Sequence, residues 1–178
     1  MKKIIFIIAL LSAVSTYSQR NIHYNFSLNF TLTSNPNFGS YDEYFDDTDW
    51  SIVIPNAILI RNGFDVELNK LVSVGINLGL DWHSELDVLA LPYFADVKLN
   101  LVKIDDDRLY ITGGVGKLLK IGKGFDRGEY YKFGLGYEVS SNDKFGFILK
   151  ADFHQKKIAE IENGKLNSFS FGLGMFFL

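Results

Sequence analysis

Two histidines stand near the groups that nucleophilic catalysis would need. His83 is followed by Ser84 and lies between Asp81 and Glu85, and a second histidine, His154, comes later in the chain. A serine nucleophile requires a histidine base within hydrogen-bond distance and a third group that orients the base. His83 and Ser84 fall at the end of a segment with strand periodicity, where adjacent side chains point to opposite faces. The spacing therefore assigns no catalytic residue, and we expect a protein that is not an enzyme.

A dense acidic segment is a second place where the residue types suggest chemistry. Residues 40–50, SYDEYFDDTDW, contain five carboxylates: Asp42, Glu43, Asp46, Asp47 and Asp49. Carboxylate oxygens are ligands for a hard cation such as Ca²⁺. The segment lacks the glycine and the closing glutamate of an EF-hand loop, so a solvated acidic loop is favoured over a cation site. Cysteine is absent, which excludes disulfides and thiolate metal sites, and no other metal or cofactor site is expected.

Ten further charged residues fall on the polar face of segments in which polar and apolar side chains alternate. They are Arg61, Asp65, Glu67, Asp81, Asp96, Lys98, Lys132, Glu138, Lys150 and Asp152. A period of two indicates a β-strand whose two faces meet different environments. The alternation has no exception in residues 21–33, NIHYNFSLNFTLT.

Eight segments show this alternation and predict eight strands. They are 21–33, 57–69, 72–83, 91–101, 108–117, 131–140, 145–154 and 168–177. The connections between them alternate in length. Long, polar connections (34–56, 84–90, 118–130 and 155–167) follow the odd-numbered segments, and short ones follow segments two, four and six. Antiparallel strands with long loops at one end and tight turns at the other are typical of an up-and-down transmembrane β-barrel.

The composition of the two faces indicates which one lies inside. The polar face is rich in glycine, at positions 63, 75, 79, 114, 116, 134, 136, 146, 172 and 174. A barrel of eight strands has an interior just wide enough for side chains, so small residues must offset large ones there. The apolar face carries aromatic rings toward the strand ends, at positions 24, 82, 93, 131, 145, 153, 169 and 177, as in an interfacial girdle. The apolar face is therefore predicted to face lipid.

The start of the chain and its net charge limit the remaining possibilities. Lys2 and Lys3 precede an apolar run, and small residues lie before Gln19, which predicts a cleaved signal peptide over 1–18 and a barrel domain over 19–178. No later apolar run reaches the roughly 18–20 residues of a spanning helix. A net charge of −3 gives no basic surface for nucleic acid, so no nucleic-acid partner is expected.

The stretches LPYFADVKLNL, RLYITGGVG and YKFGLGYEV, together with the closing strand FSFGLGMFFL, resemble the small eight-stranded outer-membrane barrels of Gram-negative bacteria. This is the group of OmpX and the OmpA transmembrane domain, also described as the outer membrane protein beta-barrel domain family. The resemblance implies an outer-membrane location with both termini in the periplasm. It also implies contact with outer-membrane lipid and lipopolysaccharide, and recognition of the C-terminal strand by the barrel-insertion machinery. The chain ends on Leu178 rather than an aromatic residue, so that recognition would depend on Phe176 or Phe177.

Inward-facing charges must form pairs, because unpaired charges in a narrow interior are strongly unfavourable. A three-residue turn at 141–143 would place Lys132 directly opposite Asp152. A similar turn at 70–72 would place Arg61 opposite Asp81. Both registers join opposite charges and are therefore predicted. The resulting network could be a plug or a gated ion path, and the small strand number favours the plug.

These patterns predict a non-enzymatic outer-membrane barrel with a charge-plugged lumen and loops that serve envelope integrity or surface interaction. One alternative is a barrel that binds or passes a small solute, either polar or hydrophobic. A hydrophobic one is suggested because Leu59, Phe94 and Leu118 face inward near the long-loop end. Another is a lipid A-modifying enzyme that uses His83 or His154, because some barrels of the family are acyltransferases or deacylases. The basic connection with Lys117, Lys120, Lys123 and Arg127 could meet lipopolysaccharide phosphates or the acidic first loop. The partner of the loops is not predicted.

Overall fold

The computed structural model describes residues 22–34, 38–42, 47–48, 50–83, 88–105, 107–120, 127–142, 144–158 and 164–177. The predicted signal peptide lies outside these residues. In the described part of the chain there is no helix of the length and hydropathy needed to cross a membrane.

The regular secondary structure of the described residues consists of strands. In chain order these are β1 (Ile22–Ser34), β2 (Tyr41–Asp42), β3 (Asp47–Thr48), β4 (Val53–Glu67), β5 (Val72–His83), β6 (Val88–Ile104), β7 (Asp107–Leu119), β8 (Gly128–Asn142), β9 (Phe145–Ile158) and β10 (Leu166–Phe177).

The eight long strands close a barrel in the order β1-β10-β9-β8-β7-β6-β5-β4, and each neighbouring pair is antiparallel. The short β2 and β3 pair with each other outside the barrel. The turns between β4 and β5, β6 and β7, and β8 and β9 share one end of the barrel with the start of β1 and the end of β10. We call this the short-turn end, and the opposite one the long-connection end. The prediction of eight antiparallel strands is confirmed.

Several strands extend beyond the alternating segments. β9 continues to Ile158, four residues past its predicted end, and β6 runs from Val88 to Ile104. Pairing with at least one neighbouring strand supplies backbone hydrogen bonds along these extensions. Only the part of a strand that lies within the apolar band of the barrel needs an apolar outer face. Alternation of hydropathy therefore indicates the extent of that band and not the full length of the strand.

The predicted register of the β4–β5 hairpin is wrong by two residues. Asp81 lies opposite Leu59, and Arg61 lies opposite Gly79. The turn is longer than the three residues assumed, because the Asn69 side chain organises it. Its Oδ1 accepts hydrogen bonds from the backbone N–H groups of Leu71 and Val72, both at 2.8 Å. A shift of two keeps every side chain on its predicted face.

The predicted register of the β8–β9 hairpin is also wrong by two. Lys132 lies opposite His154, and Asp152 lies opposite Gly134. A β-bulge interrupts β8 between Ser140 and Asn142. A bulge adds an unpaired residue to one strand, and hydropathy alternation alone does not reveal it.

The barrel reverses the usual distribution of polar and apolar side chains. Large apolar residues cover the outside, where Phe30 is 59% exposed, Ile76 67% and Leu173 65%. The interior holds buried polar groups such as Asn29 and Asp81, both with no exposed surface. An apolar surface that encircles a closed barrel is suited to a hydrocarbon environment.

Two glycines of β7 test how tightly the interior is filled. A Cβ at Gly116 would collide with the backbone of Tyr93 and Phe94, whereas a Cβ at Gly113, which faces outward, would meet no atom within 4 Å. Gly116→Ala is therefore expected to lower the free energy of unfolding by about 1–3 kcal/mol, as overpacking does. Gly113→Ala should leave it unchanged. Urea titration of protein refolded in detergent measures both, and equal stability of the two variants would contradict this account.

A charged network inside the barrel

All ten charged residues predicted for the lumen lie on its inner wall. The side chain of Asp81 is fully buried, and that of Glu67, at the short-turn end, is 15% exposed. The three histidines face inward, as the alternation predicts, and Arg108 and Lys156, which were not predicted there, do so as well. Arg108 immediately precedes the outward Leu109, so strict alternation could have found it, whereas Lys156 lies beyond the predicted end of its strand.

One group of these residues, which we call the Asp81 cluster, centres on a carboxylate toward the long-connection end. The guanidinium of Arg61 donates two hydrogen bonds to Asp81, one from Nη1 to Oδ1 and one from Nη2 to Oδ2 at 3.1 Å. Lys156 Nζ lies 2.8 Å from Asp81 Oδ2 and 2.9 Å from His83 Nε2. Two cations therefore share one carboxylate, and the Arg61, Asp81 and Lys156 side chains are at most 2% exposed. Each charge depends on the others, because water does not reach them.

A chain of hydrogen bonds continues from this cluster across the lumen. Arg61 Nη2 donates to the Tyr130 hydroxyl at 3.3 Å, and that hydroxyl lies 2.6 Å from His154 Nδ1. His154 Nε2 is in turn 2.7 Å from Ser170 Oγ. A serine and a histidine are thus within hydrogen-bond distance, although sequence reasoning did not single out Ser170.

This serine–histidine pair differs from a hydrolytic site in two respects. The second ring nitrogen of His154 contacts a phenol instead of a carboxylate, and Ser170, His154 and Tyr130 are each at most 1% exposed. A nucleophile must reach a substrate carbonyl, and this enclosed position offers no path to one. The other proposed pair is not formed within the described residues, because Ser84 lies outside them.

A second group of charges, which we call the Lys98 cluster, occupies the short-turn end. Lys98 Nζ contacts Asp65 Oδ2 at 2.6 Å and Glu138 Oε1 at 3.1 Å. Arg108 contacts Glu67 at 2.9 Å and Glu138 at 3.8 Å. Cations and carboxylates alternate in this cluster, so each buried charge lies next to at least one opposite charge.

Lys132 forms ion pairs with two carboxylates that belong to neither cluster. Its Nζ lies 3.6 Å from Asp96 and 3.7 Å from Asp152, and it also lies 5.7 Å from the ring centroid of Phe94. Lys150 Nζ reaches Asp152 at 4.0 Å. Lys132 and Asp152 therefore form an ion pair diagonally, as Arg61 and Asp81 do, although neither pair is directly opposite. Long side chains reach diagonal neighbours in a sheet.

A group of buried apolar side chains packs beside the Asp81 cluster, and the Arg61 guanidinium lies 6.0 Å from the ring centroid of Phe94. We call this group the apolar cap, and its residues are Ala90, Phe94, Leu118, Tyr130 and Ile158. Phe94 and Tyr130 pack with ring centroids 4.8 Å apart. Leu59, which was proposed with Phe94 and Leu118 to leave room for a hydrophobic ligand, is also fully buried. At the short-turn end, an enclosed cavity of about 10 Å³ is lined by residues of the Lys98 cluster. That volume corresponds to about one water molecule.

The acidic segment is described only in part. Asp42 of β2 pairs with Asp47 of β3, while Glu43, Asp46 and Asp49 lie outside the described residues. No group of three acidic or histidine side chains is placed to hold a metal ion in the described part of the chain. The cation site therefore stays a prediction.

Comparison with known proteins identifies the fold. No protein-family model matches the sequence, and no curated protein is similar to it. The crystal structure of Neisserial surface protein A (NspA) has a TM-score of 0.62 to this barrel at 7% sequence identity, and the match covers 88% of this chain and 96% of NspA. The N-terminal beta-barrel domain of Pseudomonas aeruginosa OprF has a TM-score of 0.50 at 14% identity, covering 90% and 98%. The chain thus has the fold of the small eight-stranded outer-membrane barrels, which confirms the resemblance seen in its sequence.

Proposed function

We propose that the protein is an integral outer-membrane barrel that acts without catalysis and without conducting ions. In this proposal the barrel anchors the long connections at the cell surface, where they contribute to envelope integrity or surface interaction. The observation that carries the proposal is the filled lumen. Two charge clusters and the ion pairs of Lys132 occupy it, and the apolar cap packs beside the Asp81 cluster. A barrel of eight strands that is filled in this way has no aqueous path along its axis.

The absence of catalysis is proposed from the position of the serine–histidine pair. Among the described residues, the contact between Ser170 and His154 is the feature that would support a lipid-modifying enzyme. Both side chains are enclosed within the lumen. Lipid substrates would approach from the outer wall or the rim, where neither side chain is exposed. A structural role in orienting Tyr130 and Arg61 accounts for the same hydrogen bonds.

Contacts with the membrane and with the insertion machinery form part of the proposal. Phe177 faces outward and is 40% exposed, whereas Phe176 is buried inside the barrel. Phe177 is therefore the residue we propose for recognition of the last strand by the insertion machinery. At the long-connection end, Lys117 and Arg127 are exposed and could meet the phosphates of lipopolysaccharide.

Location and orientation are tested together by labelling single cysteines, because the chain has none of its own. Ile52 lies in the first long connection and is 72% exposed, and Lys70 lies in the first short turn and is also exposed. On intact cells that express the full chain, a membrane-impermeant maleimide should label Ile52→Cys and not Lys70→Cys. Permeabilising the outer membrane should then expose Lys70→Cys. Labelling of Lys70→Cys on intact cells would contradict the proposed orientation, and absence of both variants from the outer-membrane fraction would contradict the location.

A further inference from the structure

Asn62 interrupts the apolar face of β4. Its cross-strand neighbours are Phe26 and Leu78, which are 42% and 49% exposed on the outer wall. Asn62 therefore lies within the apolar wall and not at its rim. Its side chain is exposed there, and no described residue offers the carboxamide a hydrogen bond. An unpaired carboxamide in hydrocarbon is unfavourable, since lipid tails provide neither donors nor acceptors.

The carboxamide borders a depression in the outer wall of about 700 Å³. The depression is lined by Phe64, Ile76, Leu78, Tyr93, Ala95 and Val115. Ala95 is one of these lining residues, and Gly113, opposite Val97 on the next strand, has open space around its Cα. Small residues at a membrane interface allow two backbones to approach closely, and an amide side chain can then form a hydrogen bond across the contact.

A second depression on the other side of the barrel provides a comparison. It measures about 480 Å³ and is lined by apolar side chains that include Phe30, Leu135, Ala151 and Phe171. No unpaired amide borders it among the described residues. An acyl chain would fill this second depression without leaving a polar group unpaired. The same chain in the first depression would leave the Asn62 carboxamide without a partner.

We propose that the wall around Asn62 is the contact between two copies of this chain in the membrane. A two-fold axis close to Asn62 would bring the two carboxamides together, and each would donate to and accept from the other. This pairing is self-complementary, as an isologous interface requires. The depression then receives large side chains such as Phe64 of the second copy. The inference rests on the membrane location proposed above.

Cross-linking of single cysteines in vesicles tests the contact. Leu78 and Leu135 are matched outward leucines, 49% and 47% exposed, that line the first and second depressions. With a short bismaleimide, Leu78→Cys should yield a covalent dimer and Leu135→Cys should not. Adding Asn62→Leu to Leu78→Cys should lower the dimer association constant by roughly tenfold, as measured by diluting the protein with lipid. A loss of that size is typical when one polar contact between membrane-spanning segments is removed. Asn62→Gln keeps the carboxamide and should retain most of the dimer.

Separate readouts distinguish failure of the dimer from failure of the membrane proposal. Vesicle flotation and faster gel migration of unheated sample report insertion and folding for every variant. The dimer is ruled out if the folded, inserted Leu78→Cys variant gives no cross-linked dimer. It is also ruled out if Leu78→Cys gives no more cross-linked dimer than Leu135→Cys does. If Leu78→Cys gives the same yield of cross-linked dimer with and without Asn62→Leu, the Asn62 carboxamide does not stabilise the contact. Native mass spectrometry that finds a monomer with a bound lipid would assign the depression to lipid instead.

Discussion

Asp81→Asn is expected to lower the free energy of unfolding by about 3–5 kcal/mol, the range for breaking a buried ion pair. Asp81 is the shared anion of Arg61 and Lys156, and all three side chains are buried inside the barrel. Without the carboxylate, two cations would face each other with little water to separate them. Urea titration of the refolded protein measures the effect, with the fluorescence of Trp82 as the reporter.

Lys156→Met separates the role of charge balance from that of packing. This substitution removes one of the two cations and leaves Asp81 paired with Arg61, so its effect should be clearly smaller than that of Asp81→Asn. Glu129→Gln is a surface control, because the Glu129–Lys157 pair is exposed at the rim. Exposed pairs contribute little to stability, so this variant should resemble the parent protein. If Asp81→Asn and Lys156→Met lowered the free energy of unfolding equally, Asp81 would not be the charge on which the cluster depends.

Tyr130→Ala is expected to lower the free energy of unfolding by about 3–5 kcal/mol, as large-to-small substitutions of buried aromatic residues do. The ring of Tyr130 packs on Phe94 in the apolar cap, and its hydroxyl joins Arg61 to His154. The substitution therefore opens a cavity in the cap and also removes one hydrogen-bond partner from Arg61 and one from His154.

Two variants at adjacent positions separate these contributions. Tyr130→Phe keeps the ring and removes the hydroxyl, so it should destabilise by about 1–3 kcal/mol. Tyr131→Leu alters the neighbouring side chain, which faces outward, and should have a much smaller effect. If Tyr131→Leu destabilised the barrel as much as Tyr130→Ala, the assignment of Tyr130 to a tightly packed interior would be wrong.

The topology of the barrel could be predicted because hydropathy alternation reports which environment each face meets. Residues 21–33 and 72–83 alternate almost without exception, and β1 (Ile22–Ser34) and β5 (Val72–His83) form there with the predicted faces. The inward position of glycines such as Gly116 follows from the limited width of an eight-stranded interior. These features are local in sequence and need no knowledge of which strands pair.

The registers could not be predicted in the same way. A shift of two residues preserves both faces, so hydropathy does not oppose it. Individual local features set the two registers. The Asn69 side chain forms hydrogen bonds within the β4–β5 turn, and a bulge near Ser140 shifts β8 relative to β9. The predicted ion pairs form nevertheless, because Arg61 and Lys132 are long enough to reach diagonally.

The network itself could be predicted only in part. The inward position of His154 follows from the alternation, whereas Lys156 lies beyond residue 154, where the alternating segment ends. The contact between His154 and Ser170 joins two strands through the register of β9 and β10. Ser170 is one of several serines on inward positions, and nothing in its sequence context distinguishes it.

Conductance across a planar lipid bilayer tests most directly whether the lumen is closed. Residues 19–178 would be refolded in detergent, with faster gel migration of the unheated sample as proof of a folded barrel, and then inserted into the bilayer. We expect a folded protein with no discrete current steps, since the two charge clusters and the apolar cap fill the interior. Reproducible steps whose size changes in Lys132→Ala would contradict this expectation, because they would show an ion path through the network.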